Sequence, residues 1–297
     1  MTSIDVGIPV FNEKDNVKAL LDSVKNQTYH SCQLGKLIIY DDCSEDGTNK
    51  LIQSWVDYSG MADRIIFKSG YINKGKSYSL NQILDMASGE VLVVIDSDLE
   101  LTRRDIIENM AIPHAQDSKL GLSSGLGYHN NTRNITSRVF DFAAAMNREL
   151  AKQKPLFACW GGIMAMSRKF YTNLKLPEGI YRTDAYMYLA AIRAGHKYTL
   201  NDRVLVLDQM PFVGLTFRRF AKMQKRVSNY PEQFNLDFPP ELFASETLAP
   251  PKTLLKVALR TFPRHPLNGM TYISFKVAAR IYSAFSATKI TGQWRGF

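Results

Sequence analysis

The stretch Val91-Leu92-Val93-Val94-Ile95-Asp96-Ser97-Asp98 is a continuous apolar run that ends in two carboxylates one residue apart. Preceded by the turn pair Ser88-Gly89, a run so short and so rich in β-branched residues reads as a strand buried on both faces, as central strands of parallel sheets are. The carboxylates then lie where the strand leaves the sheet, and in open α/β sheets ligands bind outside the carboxyl ends of the strands. Two Asp at that spacing repel each other unless a cation sits between or beside them. Taken alone, the stretch has a second reading, in which one Asp caps a helix from about Thr102 and the other is solvated.

Upstream, the same pattern recurs. Ile4 to Val10 reads as a first strand with Pro9 at its exit, followed by Phe11-Asn12-Glu13 and a helix with apolar positions Val17, Leu20, Leu21 and Val24. Leu37-Ile38-Ile39-Tyr40 is a second strand that ends in Asp41-Asp42, and Cys43-Ser44-Glu45-Asp46-Gly47-Thr48 turns into a helix carrying Leu51, Ile52 and Trp55. Arg64 to Phe67, the loop Ser69 to Lys76 and a helix through Leu80, Ile83 and Leu84 form a third unit. Alternating short strands and helices predict an α/β fold with a Rossmann-like, mostly parallel sheet flanked by helices and right-handed crossovers. Glu13, Asp42, Asn73 to Lys76, Asp96 and Asp98 should then emerge on one edge of one sheet. No glycine-rich loop follows the first strand, so the dinucleotide fingerprint is absent.

The second half is less regular. Lys119 to Tyr128 reads as a strand, Asn134 to Lys152 as a helix, and Cys159 to Met166 as a strand led by Gly161-Gly162, glycines that permit close backbone approach by a ligand or simply a tight turn. Thr183-Asp184 opens a helix that Gly195 ends, and Lys197 to Leu207 is a strand. Thr216 to Tyr230 is a basic helix, and Pro239-Pro240 with Pro250-Pro251 punctuate a linker. The expected organisation is one domain over 1–238, made of a regular half over 1–100 and a less regular half over 101–238, and a helical basic extension over 239–297.

At 297 residues, 45% hydrophobic and 22% charged, the chain can bury a full core. Met1-Thr2-Ser3-Ile4-Asp5 leads straight into a strand, so no secretory leader is expected, and no run approaches the ~20 apolar residues of a spanning helix. Cys32, Cys43 and Cys159 are odd in number and widely spaced, which suggests reduced thiols and a cytoplasmic protein. The formal charge of +9 is uneven: from Thr247 to Phe297 there are eight Lys or Arg and no Asp or Glu. Lys252, Lys256 and Arg260 recur at i, i+4, i+8, and Tyr272 to Phe285 sets Lys276 and Arg280 among apolar residues. An anionic membrane surface on the cytoplasmic face, met peripherally through 252–285, is the partner this segment suggests, against the plainer reading that the helices pack on the rest of the chain with a solvated basic face. No nucleic acid partner is expected.

Gly70-Tyr71-Ile72-Asn73-Lys74-Gly75-Lys76-Ser77 satisfies the P-loop expression G-x-x-x-x-G-K-S between a strand and a helix. A P-loop NTPase or kinase would use it with Asp96 as the magnesium partner. Such a loop requires neither the acidic exits of the two preceding strands nor Asp98. A nucleotidyltransferase of similar sheet topology and a non-catalytic membrane-docking protein are further alternatives.

Together, Pro9-Val10-Phe11-Asn12-Glu13, Asp41 to Thr48, Asn73-Lys74-Gly75-Lys76 through Asn81, and Asp96-Ser97-Asp98 resemble, in order and spacing, the signatures of family 2 glycosyltransferases with the GT-A fold. The resemblance covers the first hundred residues strongly and the next hundred loosely, and it implies a catalytic domain over 1–238 with a donor nucleotide half over 1–100 and an acceptor half over 101–238. It implies a nucleotide-sugar donor, most often a uridine diphosphate sugar, with Pro9, Glu13 and Asp42 at the base and ribose and Asn73, Gly75 and Lys76 lining the donor side. Asp96 would contact ribose or sugar, and Asp98 would ligate a Mg²⁺ or Mn²⁺ ion bridging the diphosphate, neutralising charge as the leaving group departs. The resemblance also implies inversion by one acidic base, which matches Asp184; the family's Glu-Asp pair is here Thr183-Asp184. Gly161, Gly162, Thr183 and Trp160 fall on the acceptor side, where Trp160 either stacks on a sugar or belongs to the core. Processive members carry a Q-x-x-R-W motif, which Gln224-Lys225-Arg226-Val227 lacks, so addition of one or a few sugars to a saccharide or lipid-linked acceptor is expected. Arg218, Arg219 and Arg226 of the basic helix are candidates for the diphosphate or a lipid phosphate.

Overall fold

The computed structural model of the protein describes residues 1–129, 135–153, 159–180, 182–208, 237–239, 241–242, 246 and 249–285. The chain divides into two compact units, Met1–Gly127 with Trp160–Gln209 and Gly292–Phe297, and Tyr128–Cys159 with Met210–Thr291.

In the first unit, strand β1 (Thr2–Val10) runs parallel to β2 (Cys32–Asp41) on one side and to β4 (Val91–Ile95) on the other, and β3 (Ile65–Ser69) adds in parallel beyond β2. All five residues of β4 are at most 2% exposed, as its unbroken apolar run requires of a strand covered on both faces. The crossovers are α1 (Val17–Lys25), α2 (Thr48–Ser59) and α3 (Lys76–Met86). Helix α1 buries Val17, Leu20, Leu21 and Val24, one face at helical spacing. Trp55 of α2 is fully buried, and its Nε1 donates to Asp22 Oδ1 of α1 at 2.8 Å, which satisfies the one polar atom of the ring. At Gly7 of β1 an added Cβ would lie 2.4 Å from Ile83 Cγ2, so α3 rests directly on the strand backbone.

Beyond β4 follow β5 (Leu99–Glu100), α4 (Ile106–Gln116), β6 (Leu120–His129), and then, after an excursion into the other unit, β7 (Ile163–Ser167), α6 (Arg168–Tyr171), α7 (Thr183–Arg193) and β8 (Lys197–Asp208). The eight strands form one sheet in the order β3-β2-β1-β4-β7-β6-β8-β5. From β7 onward the pairing changes: β7 is antiparallel to β4, β6 to β7, and β5 to β8. An apolar run states that a strand is buried and says nothing of its direction. The helix expected from about Thr102 starts at Ile106, and Gly161-Gly162 precede β7 instead of opening it.

Two buried carboxylates outside the strand exits hold this frame. Asp5, 1% exposed, accepts from the amides of Lys36, Ser88 and Gly89 at 2.8, 2.7 and 2.8 Å, which ties β1 to β2 and to the turn before β4. Glu108 of α4 accepts from the amides of His30, Ser31 and Cys32 at 2.9, 2.6 and 3.3 Å. Burial works against its charge, but those donors outweigh it and hold the carboxyl below its usual range. The three cysteines are free thiols.

In the second unit α5 (Ile135–Ala151) carries Phe142, whose ring centroid lies 6.3 Å from Phe262 and 5.3 Å from Tyr272. These residues belong to a C-terminal helical segment: α8 (Pro251–Thr261), a short 3₁₀ turn Phe262–Arg264, and α9 (Pro266–Phe285). Helix α9 begins at Pro266, six residues before the expected Tyr272, with proline in the first-turn position where its missing N–H costs nothing. Among the described residues no helix is long and apolar enough to cross a membrane.

Candidate functional site

The exits of β1 and β2 are fastened to each other before any ligand is considered. Asn12, in the left-handed region at φ 53°, donates its amide to Ser44 Oγ at 2.9 Å and accepts from the Glu45 amide at Oδ1, also at 2.9 Å. The Glu13 amide donates to Thr48 Oγ1 and the Lys14 amide to Asp46 Oδ2, at 2.9 and 3.1 Å. Asp41, buried at 1% exposure, accepts from Ser44 Oγ, from Ser69 Oγ at 2.8 Å and from Asn49 Nδ2 at 3.4 Å. The polar residues of Asp41 to Thr48 are thus largely engaged in building the loop pair. Sequence reasoning did not assign Ser44, Asp46 or Thr48 a task; their alternation with the acids was the available signal.

Asp42 lies one residue beyond β2 and is fully buried. Its Oδ1 accepts from the Lys74 amide at 3.0 Å and its Oδ2 from the Gly75 amide at 2.6 Å. Burial raises its pKa although both amides oppose the shift. Gly75 stands at φ 92°, ψ 165°, a conformation that a residue with a Cβ resists, and from it the chain turns into α3. The amides of 74 and 75 point inward to a carboxylate, so they are not the phosphate cradle of a P-loop, where such N–H groups face the anion. Asn81 is likewise engaged, donating to the Leu176 carbonyl at 2.8 Å and accepting from the Leu176 amide at 2.9 Å.

Lys76, in the first turn of α3, reaches across to Asp96 at the end of β4, with Nζ 2.5 Å from Oδ1 and 2.6 Å from Oδ2. Burial disfavours the ammonium, but Asp96, and behind it Asp98 and Asp184, outweigh that and hold its pKa above the lysine norm. Asp98 is left with less compensation. Burial first, then the charge of Asp96, push it up to about 6 against the opposing pull of Lys76. Glu13 is pushed up to about 7, again by burial first; the donor Asn16 Nδ2 at 2.8 Å lowers it, and Asp98 and Asp96 raise it further. One sheet edge therefore gathers Glu13, Asp96, Asp98 and Lys76 into a region where an added cation is electrostatically favoured.

Asp184 opens α7 and joins the same region: its charge bears on both Lys76 and Asp96. Its Oδ1 accepts from Arg182 Nε, as an ion pair, at 2.7 Å and from the Ala185 amide at 2.8 Å. Gly161 makes room for it, since a Cβ there would lie 3.1 Å from Asp184 Cβ. The Gly162 carbonyl accepts from the Asp96 amide at 2.8 Å, and Trp160 lays its ring on Gly127 and Gly162, where added Cβ atoms would come within 2.6 and 2.3 Å. One face of the indole is therefore occupied by the protein, and the residue is half-buried. Arg182 is the residue that the sequence reading left without a role; it stands two positions before the acid it pairs with.

Pro9 is buried within β1 opposite Tyr40, Thr183 is 4% exposed at the start of α7, and Asn73 is half-buried in the loop before Gly75. Arg218, Arg219 and Arg226 lie outside the described residues. Among the described residues no three His, Cys, Asp or Glu side chains converge as a ready-made metal cage.

A sheet of this order, with an acidic edge at the exits of β1, β2 and β4, defines a GT-A glycosyltransferase fold. The family model described as Glycosyl transferase family 2 matches residues 5–174, more than half of the chain, and the chain belongs to that family. It is 23% identical over 220 residues, 69% of its length and 29% of the relative's, to "Glycosyltransferase GlyA" of Streptococcus pneumoniae. A mannosyltransferase from Pyrobaculum calidifontis, solved with GDP-Man and Mn²⁺, superposes with a TM-score of 0.62 at 18% identity over 96% of this chain and 76% of that one. Glucosyl-3-phosphoglycerate synthase from Mycobacterium tuberculosis, solved with Mn²⁺ and UDP-Glc, gives 0.54 at 19% identity over 78% of each chain. The chain spans about a third of the length of the curated relatives it matches.

Proposed function

We propose that the protein transfers a sugar from a nucleoside diphosphate sugar, a UDP-sugar in the first instance, to a hydroxyl of a glycan or lipid-linked saccharide, with inversion at the anomeric carbon and Asp184 as base. The observation that carries this reading is that Asp184, at the start of α7, packs on Gly161, where an added Cβ would lie 3.1 Å from its Cβ, while the Asp96 amide at the end of β4 donates to the next residue's carbonyl, that of Gly162, at 2.8 Å. A basic carboxylate and an acid cluster suited to a cationic diphosphate complex then serve one reacting centre.

The residues fit a divalent cation. Burial and neighbouring carboxylates raise the pKa of both Asp98 and Glu13, so a positive charge beside them relieves that penalty. A Mg²⁺ or Mn²⁺ ion is ordinarily held by one or two carboxylates plus substrate phosphates, which suits a site without a three-ligand cage. Asp98 would hold it, and its chemistry would be to neutralise the departing diphosphate. Lys76 adds a second cation on the donor side. Pro9 and Glu13 border the base and ribose, Asn73 and Gly75 line the donor wall that Asp42 holds in place, and Asp96 meets ribose or sugar.

Asp184 accepts the proton of the acceptor hydroxyl as its oxygen bonds to the anomeric carbon. The bond from that carbon to the diphosphate oxygen breaks, and the diphosphate leaves with the electron pair. Arg182, bonded to its Oδ1, keeps Asp184 aimed. Gly161, Gly162, Thr183 and Trp160 border the acceptor, with the exposed part of the indole available to a sugar face. Arg218, Arg219 and Arg226 remain candidates for phosphate contacts. Peripheral attachment to an anionic membrane belongs to the same reading and is supported by the carboxylate-free C-terminal segment.

Donor hydrolysis and transfer measured with a set of nucleotide sugars and Mn²⁺ test the proposal. Asp98→Ala should abolish metal-dependent turnover, and Asp184→Asn should retain donor binding while losing transfer. Undiminished activity in both variants would overturn the assignment.

A further inference from the structure

Helix α9 presents an apolar face where a surface helix is ordinarily polar. Met270, Ile273, Val277 and Ile281, spaced i, i+3, i+7, i+11, are 60%, 51%, 54% and 58% exposed, and Leu267 continues the stripe at 63%. The other side of the helix is the one that packs: Tyr272 meets Phe142 of α5, and Gly269 lies so close to Phe262 that an added Cβ would be 2.6 Å from its ring. Twenty residues of helix are roughly 30 Å long, so the stripe is a ridge and not a pocket. On α8, Leu255 and Leu259 are 62% and 67% exposed beside Lys252, Lys256 and Arg260, all exposed, while Val257 and Thr261 are buried on the opposite side.

We infer that α9 lies in the interface of an anionic lipid bilayer, with Met270, Ile273, Val277 and Ile281 among the upper acyl chains and the cations of α8 at the headgroups. Charge decides among occupants. Thr247 to Phe297 contains eight Lys or Arg and no Asp or Glu, so a second copy of the same surface would bring cations against cations with no carboxylate from this segment to meet them. An anionic bilayer offers acyl chains to the stripe and negative charge to its neighbours. This inference deepens the membrane part of the proposed function and is independent of its chemistry: the surface would dock whether or not sugar is transferred.

The test is co-sedimentation of the full chain with vesicles of phosphatidylglycerol or of phosphatidylcholine, without donor or metal. Retention on phosphatidylglycerol at low salt, weakened by added salt and weaker on phosphatidylcholine, is expected. Ile273→Asn/Val277→Asn should lower partitioning by at least tenfold, since each side chain forfeits apolar burial. Lys252→Gln/Lys256→Gln/Arg260→Gln should lower it about fivefold per cation, on the order of a hundredfold in all. Both variants alter exposed positions and should keep the wild-type melting temperature and donor hydrolysis. Failure of the wild type to bind phosphatidylglycerol, or equal binding by the variants, would overturn the inference. Self-association abolished by the Ile273→Asn/Val277→Asn variant, with no vesicle binding by the wild type, would assign the stripe to a second copy. Lost hydrolysis with intact vesicle binding would instead count against the catalytic reading alone.

Discussion

Replacing Glu13 by Gln should make the metal-free protein more stable at pH 8 and leave it unchanged near pH 4. Glutamine keeps an oxygen for Asn16 Nδ2, which donates to Glu13 at 2.8 Å, and removes the charge that Asp96 and Asp98 oppose. The carboxyl is raised from 4.5 to about 7 in the folded chain, chiefly by burial. A carboxyl with a raised folded-state pKa contributes stability that is fully present below its unfolded pKa and is lost as pH climbs through the folded one. At about 1.4 kcal/mol per pH unit, the 2.5-unit window from 4.5 to 7 bounds the effect near 3 kcal/mol. Partial exposure of the side chain reduces it to about 2 kcal/mol. Urea denaturation at pH 4, 6 and 8 in the presence of a chelator measures it. The gap between variant and wild type should open between pH 4.5 and 7, and Mn²⁺ with nucleoside diphosphate should close it by stabilising the wild type. A variant less stable than the wild type at pH 8 would refute the reasoning, because it would mean that the charge of Glu13 is favourable in the folded chain.

Asp184→Asn should lower the transfer rate by roughly 10² to 10⁴, the range for a lost general base, with donor affinity by titration calorimetry unchanged. Glu108→Gln should cost about 2 kcal/mol at pH 7, since hydrogen bonds to a charged acceptor are replaced by weaker ones. Glu108 has a depressed pKa, so its contribution is present above the unfolded value and lost as pH falls through the folded one; the gap between variant and wild type should shrink in acid melts. Gly162→Ala places a Cβ 2.3 Å from the Trp160 ring, so the ring must move, and indole fluorescence together with acceptor KM should change while donor binding holds.

The α/β class was readable because burial leaves a period-free apolar signature. Val91 to Ile95, short, rich in β-branched residues and preceded by a turn, reads as a strand covered on both faces, and the helices between strands carry a helical apolar spacing, as Val17, Leu20, Leu21 and Val24 do. Acids at strand exits were also readable, because the exit of a parallel strand is where a side chain stops packing and starts facing ligand. Direction was not, and the antiparallel return through β7 came only with the tertiary structure, as did the antiparallel β5–β8 pair at the far edge.

The chain by itself therefore determined which residues are apolar enough to be buried and which acids stand at the strand ends, since both follow from local composition. Only the tertiary structure decided how those acids divide. Asp5, Asp41 and Asp42 spend their oxygens on backbone and side-chain donors that build the frame, whereas Asp98 and Glu13 stand in the acidic cluster with Asp96. It also decided that Arg182 pairs with Asp184 and that the outer face of α9 is apolar. The physical reason is plainest at Asp5 and Asp42: a carboxylate's role depends on which donors come within about 3 Å of it, and theirs lie 31 to 84 residues away along the chain, whereas Arg182 stands only two positions from Asp184.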